Sequence, residues 1–349
     1  MILIVGGGVI GLTLAFRLLQ SGDKITLIER AEIGRGASWA AAGYLEPSLG
    51  DSPLAKIEWQ SLRMWPDFAK SVEICSGGDV DYQTHGQLRI AYADSAADVH
   101  HDFEARKAAG WEAEELSAQQ LRALEPALSH DILGATYLPQ VHWVDGRKLC
   151  KALANAVLKL GGAIHQNTAV QRVNTGQGRV TGVQTDAGEI AGDMVVIAAG
   201  YQADLINNLP QDLPKSTGLK GVILTLAGNN TTGLRHLIKR PDGILCPRND
   251  GRVLLGVTRD VGDFTPTATA GTIARLLQSG LRAMPALADM TLAETVVGFR
   301  PFAGESDAPS IGESAQIPGL YHSLGHGADG YLRAPYYADA LAQMITKSG

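Results

Sequence analysis

Cysteine is scarce: Cys75, Cys150 and Cys246 are the only three in 349 residues, scattered and in no metal-ligand spacing. So sparse and odd a set argues against a disulfide framework and against a zinc or other metal site. It fits a reducing compartment, so the cytoplasm is the expected location and three buried, inert thiols are expected. No apolar run approaches the ~18 residues that a membrane-spanning helix needs. Residues 1–5 run into glycines without a basic segment, which is not the pattern of a signal peptide. Positive charge is not in excess either. The 30 Lys and Arg against 36 Asp and Glu leave a net charge of −6, which speaks against nucleic acid or an anionic membrane surface as a partner. Repeats, low-complexity tracts and long Pro/Ser linkers are also missing, so the two domains suggested by the length must interleave by chain crossings. What is abundant is glycine. Its 41 residues, roughly 12% against ~7% in average usage, imply many places where backbone passes close to something. With 45% hydrophobic and 19% charged residues, a large core is expected and a disordered chain is excluded.

Residues 2–5 form an unbroken apolar run, the pattern of a strand buried on both faces. Gly6-Gly7-Gly8 then leads into apolar residues at helical spacing over 9–19. After a break at Ser21-Gly22-Asp23, residues 24–29 read as a second strand, so the chain opens on a βαβ start. Residues 30–50, rich in Gly, Ala and Ser, read as a loop or short helix. Residues 55–128 read as mostly helical with one strand at 86–92. A helix is expected over 145–160, a hairpin over 170–185 turning at Gly176-Gln177-Gly178, and a buried strand over 194–200. Strands at 218–226 and 252–258 suggest an antiparallel sheet, followed by a helix over 272–284. A strand at 320–324 runs into Gly325-His326-Gly327 and a closing helix over 330–346.

Gly6-x-Gly8-x-x-Gly11 lies between the first strand and the first helix. In this arrangement Gly6 permits the tight turn, Gly8 lets backbone approach a pyrophosphate, and Gly11 lets helix and strand pack closely. The pyrophosphate would sit on the helix N-terminus, where free N–H groups and the dipole favour anions. Glu29 closes the second strand 18 residues after Gly11, where a carboxylate can accept hydrogen bonds from ribose hydroxyls. Strand, glycines, helix and acidic residue in register point to a dinucleotide, FAD or NAD. Two further small-residue segments, Ala37 to Gly43 and Gly325 to Gly330, could let a flat ring system lie against backbone.

At these residues the chain resembles the FAD-dependent D-amino acid oxidase superfamily, and within it the glycine oxidases of thiamine-thiazole biosynthesis. The resemblance runs through nearly the whole chain. Besides the fingerprint and the segment Ala37 to Pro47, it rests on Val144-Asp145-Gly146-Arg147-Lys148-Leu149, the 195–200 strand ending in Gly200, and Lys220-Gly221. Pro247-Arg248-Asn249-Asp250-Gly251-Arg252, Gly256-Val257-Thr258 and Gly298-Phe299-Arg300-Pro301 complete it. The resemblance implies FAD as cofactor and an α/β fold. A Rossmann-like FAD domain (residues 1–45, 140–215 and 300–349) would interleave with an α+β substrate domain (46–139 and 216–299) whose antiparallel sheet roofs the flavin.

By the same resemblance, Val9, Ile10, Glu29, Arg30, Ala37, Ser38, Ala42, Gly43, Tyr44 and Val170 fall on FAD contacts. His326, Gly327, Ala328, Asp329, Gly330, Tyr331 and Leu332 fall along the flavin edge. Arg300 matches the arginine that holds a substrate carboxylate through two parallel hydrogen bonds. Three positions depart from the family. Tyr44 replaces a methionine, Ile244 stands where a substrate-holding tyrosine is usual, and Ala328 where a second arginine is. The losses at Ile244 and Ala328 imply a more apolar or differently shaped amine. The His-Gly-x-x-Gly form of residues 326–330 is similar to that of sarcosine oxidases and D-amino acid dehydrogenases as well.

The implied activity is oxidative deamination of glycine or a related small amino acid or N-substituted glycine. An imine or 2-oxo acid and hydrogen peroxide would be the products, with no catalytic side chain required beside the flavin. Two rivals stand beside it: a dehydrogenase passing electrons to a quinone or carrier, and a non-catalytic FAD-binding partner protein. A homo-oligomer is left open by the sequence.

Overall fold

The computed structural model describes residues 1–228, 233–304 and 307–348. The fold is α/β. Its first sheet has six strands in the order Ser310–Glu313, Leu320–Leu324, Met194–Ile197, Ile2–Val5, Ile25–Ile28, Ala163–His165. All neighbours are parallel except the antiparallel pair at the Ser310–Glu313 edge. The central strands are apolar throughout because helices cover one face and a three-stranded sheet the other. Helices Val9–Gln20, Pro53–Ser76, Gly146–Lys159 and Gly330–Ser348 share one core with Ile2, Ile4, Ile25 and Leu27. Leu3, Val5 and Val195 pack instead with Val173, Val180 and Val183 of the hairpin Val170–Gly176/Arg179–Thr185.

The second sheet has eight strands in the order Thr291–Ala303, Ser216–Ala227, Val253–Gly256, Gly243–Pro247, Leu237–Arg240, Gln87–Ala91, Gly134–Leu138, Glu114–Ser117. It is antiparallel except where Leu237–Arg240 runs parallel to Gln87–Ala91. The expected antiparallel sheet is therefore present but mixed. Strand alternation gives it two unlike faces. Val222, Leu224 and Leu226 face a core capped by the helix Ala270–Ala283, while Ile223, Leu237, Ile244 and Leu254 face the other way with Ala42 and Trp143. That second face looks onto the cavity described below.

The expected helices and strands of the βαβ start, the 170–185 hairpin and the C-terminal strand–glycine–helix unit all form. Sequence reading missed the strands Gly134–Leu138, Leu237–Arg240, Gly243–Pro247 and Thr291–Ala303. It also placed all three cysteines in the interior. Cys150 and Cys246 are buried, and desolvation pushes their thiols up to about 12 and about 11, but Cys75 is only half-buried. Among the described residues no helix is long and apolar enough to cross a membrane, and no His/Cys/Asp/Glu cluster could hold a metal.

Candidate active site

The glycine turn is shaped by contact. Gly6 has φ +116°, and a Cβ on Gly11 would lie 2.0 Å from the Gly6 carbonyl oxygen, so helix Val9–Gln20 can approach its strand only with glycine there. Glu29 stabilises the turn from the second strand. Its Oε2 accepts the Gly7 N–H at 2.7 Å and its Oε1 the Ala31 N–H at 2.9 Å. Ser38 Oγ accepts the Val9 N–H at 3.0 Å, which joins the small-residue loop to the start of the helix.

Around this turn runs a cavity of about 740 Å³, within the ~300–1,000 Å³ typical of cofactor sites. Of the expected cofactor residues, Gly6, Gly8, Val9, Ile10, Glu29, Arg30, Ala37, Ser38, Val170, Gly200, His326, Gly327, Ala328, Gly330 and Tyr331 line it. Ala42, Gly43, Tyr44 and Asp329 line a second cavity of about 760 Å³ under the eight-stranded sheet. The two cavities share Ala37, Ala41, Gly298, Phe299, Gly327, Ala328 and Tyr331, so they meet along the two small-residue segments.

Gly11 and Leu332 line neither cavity. The helical turn beginning at Gly330 points the Leu332 side chain into the core. There its carbonyl accepts Ser61 Oγ at 2.6 Å and Trp65 Nε1 at 3.3 Å.

His326 bears on whether FAD fits. Its Nε2 is 2.9 Å from Ser323 Oγ, while its buried Nδ1 has no partner among the described residues. Burial and the nearby Arg333 push its pKa down to about 3, so the ring is neutral. The glycine turn fits that cofactor better still: Gly6, Gly8 and the start of helix Val9–Gln20 line the cavity, where free backbone N–H groups and the helix dipole suit a pyrophosphate.

The loops are held by buried ion pairs that sequence reading did not assign. Arg333 pairs with the buried Glu58 at 2.6 Å and donates to the His326 carbonyl at 3.1 Å, fixing the C-terminal glycine loop. Arg248 donates to the Ala42 carbonyl at 2.6 Å and lies 3.7 Å from Asp145. Both arginines are thus committed to loop structure and neither lines the second cavity. Trp39 lies between the guanidiniums of Arg35 and Arg147, and Arg147 pairs with Glu294 of the large sheet at 2.7 Å.

Arg300 does line the second cavity, with Tyr44, Ile244 and Ala328. Its guanidinium donates to the Lys220 carbonyl at 3.3 Å and the Thr258 carbonyl at 3.0 Å. Among the described residues no carboxylate pairs with it. Burial and the neighbouring Arg259 hold its pKa below the usual arginine value. Gly221, in the next strand, makes room for it: a Cβ there would lie 2.7 Å from both terminal nitrogens. Ile244, 4% exposed, and Ile223 form an apolar wall, and the Tyr44 hydroxyl accepts a hydrogen bond from Gln87. Lys239, Arg259 and Arg275 also line this cavity, and sequence reading gave none of them a role.

The chain is similar along its whole length to proteins of known kind. It is 29% identical to the bifunctional protein ThiO/ThiG of Synechocystis over 99% of its own length, spanning about half (51%) of that protein. Glycine oxidase from Bacillus cereus has the same fold, with a TM-score of 0.93 and 29% identity over 100% of this chain and 95% of the other. Iminodiacetate oxidase from Chelativorans follows, with a TM-score of 0.87 and 26% identity over 99% of this chain and 95% of the other. The family of FAD dependent oxidoreductases matches residues 1–344, and the chain, a flavoprotein with FAD as its cofactor, belongs to it.

Proposed function

We propose that this protein oxidises a small amino acid, glycine or an N-substituted glycine, at its carbon–nitrogen bond. The imine would be hydrolysed to a 2-oxo acid and the freed amine, with dioxygen reduced to hydrogen peroxide. Bound FAD would supply the two-electron oxidation. The observation that carries the reading is Arg300, a partly buried guanidinium that has no carboxylate partner among the described residues, in a cavity continuous with the dinucleotide groove. A substrate carboxylate would complete it through two parallel hydrogen bonds, fixing position and orientation together.

The remaining assignments belong to the same reading. Residues 1–45, 140–215 and 300–349 would hold the cofactor, and 46–139 and 216–299 would shape the substrate side. Glu29 would accept a ribose hydroxyl, and the glycine turn would face the pyrophosphate. Ile244 and Ala328 remove polar contacts, so the wall rewards a substrate with apolar surface to bury, and an N-substituent supplies it. The similarity to an iminodiacetate oxidase agrees with this. The cytoplasm is the proposed setting.

The test is an anaerobic flavin-bleaching panel over glycine, sarcosine, D-amino acids and larger N-substituted glycines, with peroxide measured in air. N-substituted glycines should exceed glycine in kcat/KM, with one peroxide per amine consumed. Glycine as the best substrate would overturn the specificity, and bleaching without peroxide would move the electrons to a carrier. No bleaching by any amine would refute the activity.

A further inference from the structure

Three carboxylates line the second cavity: Asp242, Asp260 and Asp329. Two of them are engaged by their own surroundings. Asp242 lies 3.3 Å from Arg240, and Asp260 accepts from Thr258 Oγ1 at 2.7 Å. Asp329 stands where the two cavities meet, since Gly327, Ala328 and Tyr331 around it line both. Its side chain is a third exposed, and the space it borders is the second cavity. It precedes helix Gly330–Ser348, a place where a carboxylate usually folds back on the free N–H groups of the first turn. Among the described residues this one makes no such bond, and only its backbone carbonyl joins the helix, accepting the Arg333 N–H at 2.9 Å. Its Oδ2 lies 3.3 Å from Arg333 Nη2, which Glu58 holds more closely at 2.6 Å. Its Oδ1 has no hydrogen bond among the described residues.

The loop that carries Asp329 is tied to the strand that carries Arg300. The Gly327 N–H donates to the Pro301 carbonyl at 2.7 Å, joining the neighbourhoods of the two charged side chains. Each also acts on the other's charge. Burial drives the Asp329 carboxyl up to about 6; Arg333 and Arg300 oppose that rise, while Glu58 and Glu46 add to it. Glu46 is itself paired with Arg106 at 2.6 Å. An α-amino acid carries a carboxylate and an ammonium on one carbon. A guanidinium and an open carboxylate on joined segments are its electrostatic complement.

We infer that Asp329 receives the substrate ammonium while Arg300 holds the carboxylate, and that Asp329 Oδ1 takes the proton that must leave nitrogen before oxidation. An ammonium has no lone pair with which to form a C=N bond. The transfer breaks one N–H bond and forms one O–H bond, leaving a neutral amine. The α-hydrogen can then leave with both electrons of its C–H bond to bound FAD, and the nitrogen lone pair closes the C=N bond. The proton on Asp329 afterwards returns to solvent. A carboxyl raised towards neutrality suits this task, because it holds a transferred proton better than an ordinary one.

This inference rests on the amino acid oxidase reading, so one arm of the experiment needs no turnover. 2-Aminoisobutyrate has no α-hydrogen to lose, and pivalate has its shape with a methyl in place of the ammonium. Both are titrated at about pH 8 into FAD-loaded parent, Asp329→Asn and Asp329→Glu, following the flavin spectrum. The parent should prefer 2-aminoisobutyrate by at least about tenfold, Asp329→Asn should lose that preference, and Asp329→Glu should keep part of it. The second arm follows the second-order rate constant of anaerobic flavin reduction by sarcosine against pH. In the parent it should stay level from about pH 6 to the ammonium pKa of sarcosine, because enzyme and substrate together carry one proton across that range. In Asp329→Asn it should be about 100-fold lower at pH 7 and climb about tenfold per pH unit towards the same pKa, since only amine that is already neutral reacts. FAD affinity should hold in both variants. No preference in the parent, an unchanged preference in Asp329→Asn, or a loss of rate that is equal at every pH overturns the assignment. If no amine reduces the flavin, the oxidase reading fails, while the titration still decides whether Asp329 meets an ammonium.

Discussion

Replacing Arg300 tests the proposed site most directly. In Arg300→Ala the backbone groups that it bonds lose little: the Lys220 carbonyl also accepts the Asp260 N–H at 3.0 Å, and the Thr258 carbonyl borders the cavity and can take water. Fold stability should therefore fall by no more than about 1 kcal/mol. The substrate carboxylate loses far more, since it would enter a partly dry pocket without its charge partner. That costs on the order of 2–5 kcal/mol, or roughly 30-fold to several thousand-fold in kcat/KM. Lys at this position restores charge but not the planar fork, and should recover only part of the loss. The assay is anaerobic flavin reduction with an amino acid and with its decarboxylated amine, which has nothing for Arg300 to hold. The amino acid should lose rate steeply and the amine barely at all. Equal losses on both would refute the reasoning and make Arg300 a support of the fold or the cofactor. The anchor would then be sought at Arg259, since Arg248 is bound to Ala42 and Asp145 outside the cavity.

Three further outcomes follow from the geometry. Glu29→Ala removes the acceptor of the Gly7 and Ala31 N–H groups along with the expected ribose contact, so FAD affinity in a reconstitution titration should fall by about 1–3 kcal/mol; unchanged affinity would remove Glu29 from the ribose. Gly221→Ala would press a Cβ against the Arg300 guanidinium, so kcat/KM for amino acids should drop while FAD affinity holds; loss of both would mean that the strand itself had shifted. Burial raises the Asp329 carboxyl to about 6 from an ordinary 3.8, so the unfolded chain gives up this proton first and stability falls as pH rises from about 4 to about 6. The carboxyl is a third exposed, which reduces the effect, so cofactor-free Asp329→Asn should exceed the parent in stability by about 1–2 kcal/mol at pH 7 and match it near pH 4. Melting curves at the two pH values check this, and an equal difference at both would contradict it.

The cofactor half of the site was legible because its signals are local. Strand, glycine turn, helix and Glu29 lie within thirty residues, and each has a steric or electrostatic reason to occur in that order. The C-terminal unit from Leu320 to Gly330 is equally local. The Leu332 side chain packs in the core while Gly330 and Tyr331 line the cavity, because a helix sends consecutive side chains in different directions. At Gly330 the loop ends, and two residues later the side chain already belongs to the core.

The proposed substrate half has a reading only through resemblance, and the physical reason is the sheet. Leu237-Ile238-Lys239-Arg240 is too short for periodicity to separate strand from loop, and both faces of the strand bear apolar residues. Which face meets substrate depends on pairing with Gly243–Pro247 and Gln87–Ala91, the latter about 150 residues away in the chain. The same holds for Arg300. Its strand shares thirteen residues with the large sheet, and the carbonyls that orient its guanidinium come from Lys220 and Thr258. Reading Ile244 alone as a lost tyrosine makes the wall simply apolar. Register places Lys239 beside it, so the wall carries a cation next to its apolar surface, and that cross-strand neighbour is invisible in the local sequence.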